Sequence, residues 1–163
     1  MKIQTLQLTY RIAQEAELSA EEQALIATAK EATNRSYAPY SKFHVGAAVL
    51  LADGAIVAGS NQENAAYPSG TCAERCAMFY ANSEHPDMGV KAIAVAARLD
   101  NGEFLTAPIT PCGSCRQVLI ETEHRYGAPI RVLLYGTSGI YILDSCVELL
   151  PFQFYSEALE GKG

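Results

Sequence analysis

Thr71-Cys-Ala-Glu-Arg-Cys76 and, farther along, Pro111-Cys-Gly-Ser-Cys115 each stand where a helix is predicted to begin. The stretch before each is strand-like, so the pair sets a rhythm of strands alternating with helices. It also brings soft thiolate ligands to two helix entrances. A helix N-terminus carries free N–H donors and partial positive charge, which favour thiolates there. Three thiolates can hold a zinc ion and leave its fourth position open.

Working outward, Ser19-Ala-Glu-Glu22 is a capping box opening a helix through about residue 34, with Leu25, Ile26 and Ala29 on one face. Val45 to Leu51 and Ile56 to Asn61 read as a hairpin around Ala52-Asp-Gly54. Thr71 or Ser69 can cap a helix over about 72–83, and Val90 to Ala97 suits a buried strand. Thr110 can cap the next helix, with Pro111 at its first position. Ile130 to Tyr135 and Ile140 to Leu143 are two more strands, and Cys146 to Leu150 a last short helix. Residues 1–16 form either a strand or a short helix. The order α-β-β-α-β-α-β-β-α implies an α/β sandwich, with a mixed sheet between helical layers.

The chain has 163 residues, enough for one domain with a real core. Its apolar content of 49% excludes a disordered protein. No apolar run approaches the roughly 20 residues of a membrane span. The N-terminus lacks the apolar core of a signal peptide, so a cytoplasmic protein is expected. Five cysteines, an odd number, then suit ligands and buried thiols better than disulfides. With 12 basic residues and a net charge of −6, the chain suits a small neutral substrate rather than a nucleic acid.

Glu74 stands two residues after Cys72, close to the metal without ligating it. Zinc acidifies water, and such a carboxylate can move the proton. A Glu outside the ligand set plus Pro-Cys-x-x-Cys is the pattern of zinc-dependent deaminases. Arg75 could donate to a ligand sulfur and offset its charge, and Gln117 is a candidate of the same kind. Two plainer readings use the same residues. Glu74 fits a capping box with Thr71. Cys72, Cys76, Cys112 and Cys115 fit a closed, inert four-cysteine zinc site. Cys146, His44, His85 and His124 show no ligand pattern. Asn61 and Glu63, two apart at a strand end, suit sugar hydroxyls. Tyr37, Pro39, Tyr40 and Phe43 offer surface for stacking a base.

Several blocks in order resemble the homotetrameric cytidine deaminases: Ser36 to Phe43, Val45-Gly-Ala-Ala48, Asn61-x-Glu-Asn-Ala65, Tyr67-Pro68, Cys72-Ala-Glu-Arg75, Pro111 to Leu119 and Glu148-Leu-Leu-Pro151. The resemblance spans about residues 20–155. It implies a three-layer sandwich with a five-stranded mixed sheet and helices on both faces. It also implies hydrolytic deamination of cytidine and deoxycytidine to uridine and deoxyuridine, with ammonia release, in pyrimidine salvage. Cys72, Cys112 and Cys115 would bind one zinc per subunit, with Glu74 as proton shuttle. Asn61 and Glu63 would hold the ribose, Phe43 would stack on the pyrimidine, and Ala73 would also touch substrate. Arg75 would bond a ligand sulfur. Tyr67 and Phe154 match aromatics that reach the site from neighbouring subunits of a tetramer, and no nucleic acid or membrane partner is implied. The whole chain would be one domain, with residues 1–18 as an N-terminal extension. Departures from the family are His44 in place of Pro beside the base pocket, Cys76 in place of a smaller residue, the extension itself, and an irregular stretch from Arg98 to Ile109.

Overall fold

The weak apolar pattern at the N-terminus gives only a three-residue strand, followed by a 3-10 turn at Glu15–Glu17. In the computed structural model, which describes residues 1–159 and 161, residues 1–10 have no regular structure and β1 is Arg11–Ala13. Helix α1, Ala20–Ala32, starts at the capping box: Glu22 N–H donates to Ser19 Oγ at 3.2 Å, and Ser19 N–H to Glu22 Oε2 at 2.9 Å. A 3-10 turn at Thr33–Arg35 extends it. Strands β2 (Phe43–Leu51) and β3 (Ile56–Ser60) make the expected antiparallel hairpin. Then come α2 (Ala73–Glu84), β4 (Val90–Leu99), α3 (Gly113–Tyr126), β5 (Arg131–Gly136), β6 (Gly139–Leu143), a 3-10 turn at Cys146–Leu149 and α4 (Ser156–Leu159).

The sheet has six strands in the order β1-β6-β5-β4-β2-β3, not the expected five. The extra strand is β1, which pairs antiparallel with β6 through Arg11, Ile12 and Ala13. Without it, β6 would be an open edge presenting unpaired N–H and C=O groups. Three residues carry too little alternation to announce a strand in the sequence. Their neighbours hold it: Arg11 pairs with Asp144, and Tyr10 packs on Tyr141 with centroids 5.1 Å apart. The sheet is mixed because β4 and β5, joined through α3, run parallel, while the other pairs are antiparallel.

Alternation along β2 divides the core into two layers. Val45, Ala47, Val49 and Leu51 face α2 and α3, packing with Ala77, Met78, Leu119 and Ile120. Ala48 and Leu50 face the other way, toward Leu25, Ile26 and Ala29 of α1. Helices therefore cover both faces. Two glycines permit the close approach. A Cβ on Gly46 would stand 2.1 Å from the Ala29 carbonyl oxygen, and one on Gly59 2.4 Å from the Ala77 nitrogen. One glycine thus seats α1, and the other seats α2, whose first turn carries the cysteine motif.

Candidate active site

The cysteines themselves occupy the cap positions assigned in sequence to Thr71 and Thr110. Cys72 is the N-cap of α2 and Cys112 that of α3, neither with a side-chain cap bond. The Thr71–Glu74 capping box does not form. Both sulfurs therefore stand at helix entrances, and Cys115 adds a third from the first turn of α3. Cys72 Sγ lies 3.8 Å from Cys112 Sγ, and Cys112 Sγ 3.5 Å from Cys115 Sγ; all three fall within 4.8 Å of one another. Tetrahedral zinc with Zn–S bonds of about 2.3 Å needs sulfurs about 3.8 Å apart, so this donor set fits zinc.

Arg75 Nη2 donates to Cys72 Sγ at 3.8 Å, as expected for a residue offsetting thiolate charge. The Cys72 thiol is drawn down to about 5 by hydrogen bonding from Cys115, and then from Arg75 and Cys112. Cys115 is pushed up by that same bond and by burial. Glu74, on the first turn of α2, is 4% exposed. Burial, and then the Cys72 charge, raise it above the usual carboxylate range. It lies beside the sulfurs without joining the donor cluster.

Cys76 stays outside that cluster, so the four-cysteine arrangement is absent among the described residues. Cys76→Ser is therefore expected to keep its metal and its fold; zinc content and melting temperature check this. The histidines are likewise elsewhere. His124 packs on Tyr155, and His85 ends α2. His44, expected beside the base pocket, points to the opposite face of β2 from Phe43. Its ring bonds Ser36 Oγ through Nδ1 and Asp100 through Nε2, the latter at 3.1 Å. Cys146 is buried, its thiol donating to the Ile130 carbonyl at 3.6 Å.

Beside the sulfurs opens a cleft of about 580 Å³, lined by Tyr40, Asn61, Glu63, Tyr67, Cys72 and Arg75 among others. The Tyr40 and Tyr67 rings meet edge-on across it, 6.4 Å apart. Asn61 and Glu63 share its wall, but both also serve the protein. Val45 N–H donates to Asn61 Oδ1, and Asn61 Nδ2 to the Phe43 carbonyl, each at 2.9 Å. Glu63 Oε2 accepts the N–H groups of Tyr40 and Ser41 at 2.9 and 3.2 Å. The Ser41 hydroxyl and these amides hold the Glu63 carboxyl below its usual range.

Phe43 is half-buried against the α2-side core, and Ala73 is fully buried at the start of α2. Gln117 does not reach sulfur: its Nε2 donates to the Phe154 carbonyl at 2.9 Å. The Phe154 ring is largely exposed, as is that of Tyr67. Sequence reasoning gave Ser41 no role of its own, although its Oγ accepts the Phe43 N–H at 3.1 Å. A serine in a polar loop carries no signal for such a bond.

Residues 19–126 match the family model for the cytidine and deoxycytidylate deaminase zinc-binding region. A cytidine deaminase of Halalkalibacterium halodurans is 42% identical over 135 residues, covering 83% of this chain and 95% of that protein. One from Sporosarcina psychrophila is also 42% identical, over 83% of this chain and 92% of its own. The crystal structure of cytidine deaminase from Burkholderia pseudomallei superposes with a TM-score of 0.68 at 42% identity, over 80% of this chain and 97% of that one. The match begins at the capping box and ends with α3, so it contains both helix entrances. The three sulfurs between them are a zinc site, one ion per chain. Sharing that region, and aligning with nearly the full length of these relatives, the chain belongs to the cytidine deaminase family.

Proposed function

We propose that this protein catalyses zinc-dependent hydrolytic deamination of cytidine and deoxycytidine to uridine and deoxyuridine, releasing ammonia, as a step of pyrimidine salvage. One observation carries the reading. A buried carboxylate, Glu74, stands beside three converging sulfurs, one of which, Cys72, lines a cleft sized for a small organic molecule. Cys72, Cys112 and Cys115 hold the zinc, which when bound supplies the Lewis acidity that makes water a nucleophile near neutral pH. Glu74 would accept one proton of that water and pass it to the ring nitrogen, then take the second from the new hydroxyl and pass it to the amine, which leaves as ammonia. Burial suits it to both roles, because a carboxyl held above its usual range is a stronger base when ionised and keeps more of its protonated form available as an acid. Arg75 stabilises the Cys72 thiolate, and the Ala73 backbone stands beside Glu74 at the substrate.

Asn61 and Glu63 face the ribose, and Phe43 the pyrimidine. Glu63 supports this placement, since it lines the cleft and a carboxylate has acceptor positions beyond those that the loop donors use. Tyr67 and Phe154 act across subunit boundaries in a homotetramer. Their exposed rings support this, and Gln117 anchors the Phe154 backbone while leaving the ring free. The chain acts as one domain, residues 1–163, in the cytoplasm, with residues 1–18 as its extension. No helix among the described residues is long and apolar enough to cross a membrane. The test is a spectrophotometric cytidine assay on the purified protein. Turnover is expected, with loss after zinc chelation and recovery on zinc addition. No turnover of cytidine or deoxycytidine by the zinc-loaded protein would sink the reading.

A further inference from the structure

The Tyr40–Val45 segment enters β2 through a strained turn. Lys42 has φ +56, a left-handed conformation that a lysine adopts only where its surroundings impose it. Those surroundings are specific. Lys42 N–H donates to the Ala38 carbonyl at 3.1 Å, and Ser41 Oγ accepts from Phe43 N–H. Phe43, His44 and Val45 also pair with Leu99, Arg98 and Ala97 of β4. The side-chain bonds that reach the segment's backbone from outside it come from two residues. Glu63 takes the amides of Tyr40 and Ser41 on one oxygen. Asn61 sits just past the end of β3, and its side chain continues the ladder to β2, accepting from Val45 and donating to Phe43. The Ser41 hydroxyl bonds the same carboxylate, so one polar hydrogen of the Asn61 amide and only the remaining lone pairs of Glu63 are left for the cleft.

We infer that Asn61 and Glu63 are positioning residues. Their amide and carboxylate hold the Lys42 turn and the start of β2, and so fix Phe43 relative to the zinc site, before either touches a ligand. The inference rests on the proposed deaminase activity and divides the work of these two residues differently. An amide is required at position 61 because one end faces an N–H and the other a carbonyl. A carboxylate at the same place would set oxygen against the Phe43 carbonyl unless it carried a proton.

Asn61→Asp tests this through pH. The new carboxyl would share the cleft with Glu63, Tyr40, Tyr67, Cys72 and Arg75. Facing a carbonyl, its protonated form is favoured, so its pKa should stand above the ordinary carboxylate value. Below that pKa it regains a donor for Phe43; above it the donor is lost. Relative to wild type at each pH, the variant's KM for cytidine is expected to be raised about tenfold or more near pH 8, with kcat less affected, and to fall back toward wild type near pH 5.5. A hydroxyl contact alone would be served by an ionised Asp, so a KM ratio flat with pH overturns the inference.

Glu63 gives a second arm should Asn61→Asp not fold. Glu63→Gln keeps an oxygen for the Tyr40 and Ser41 amides and should hold KM within about tenfold, whereas Glu63→Ala should lose more and also lower the melting temperature. Equal damage from both would overturn the positioning role. Wild-type turnover of cytidine separates this outcome from failure of the deaminase reading itself.

Discussion

Glu74→Gln is expected to retain full zinc while losing about 10²- to 10⁴-fold in kcat, the range that one positioned acid–base group supplies. Gln fills the same volume at a site 4% exposed, so the first turn of α2 should not move. Its amide cannot accept and return a proton. Zinc stays because Glu74 lies outside the donor cluster of Cys72, Cys112 and Cys115. Metal analysis and ammonia release, measured on the same preparation, separate the two effects. A variant with full zinc and activity within tenfold of wild type would exclude Glu74 as the proton carrier. Loss of zinc would instead make Glu74 a ligand.

Glu123→Ala is expected to cost about 3–5 kcal/mol of stability, a large share of the roughly 5–15 kcal/mol that a domain has. Glu123 is 8% exposed on α3 and is a junction of three elements. Its carboxylate accepts the Ile130 N–H at 2.9 Å, the Cys146 N–H at 2.8 Å and the Ser145 hydroxyl at 2.5 Å. It thereby ties α3 to the start of β5 and to the 3-10 turn after β6. Alanine leaves these donors buried without an acceptor. In a domain of this size the loss corresponds to roughly 10 °C in Tm, read by thermal denaturation. Because the residue lies far along α3 from Cys112 and Cys115, the folded fraction should still bind zinc. A Tm within 2 °C of wild type would show that water replaces the carboxylate without cost.

Much of the fold was legible because its signals are local. The Ser19–Glu22 capping box, the Asp53-Gly54 turn and the continuous apolar run of β4 each announce an element by chemistry within a few residues. β1 was not legible, because three residues have no period to read and their strand exists only by pairing with β6. The cap positions were misassigned for a related reason. Thr71 and Thr110 are good caps by residue type, yet the cysteines take those positions in the tertiary fold, where all three sulfurs converge. The sequence also left Cys76 eligible as a fourth ligand, since helical spacing puts it on the same side as Cys72. In the tertiary structure the sulfurs of Cys72, Cys112 and Cys115 converge without it.

His44 and Gln117 show the same limit. Adjacency to Phe43 suggested that His44 borders the base pocket, but strand alternation turns it to the other face, toward Ser36 and Asp100. Gln117 stands two residues beyond a ligand and bonds the Phe154 carbonyl instead.

By itself, the sequence determined the chemistry: which residues can ligate zinc, which carboxylate stands beside them, and which family the blocks match. Those properties reside in side-chain type and short spacing. Tertiary structure alone decided which cysteines meet, that a sixth strand closes the β6 edge, and that Asn61 and Glu63 brace the turn before Phe43. Each of these depends on hydrogen bonds and close approaches between segments distant in the chain, and no local pattern encodes such distances.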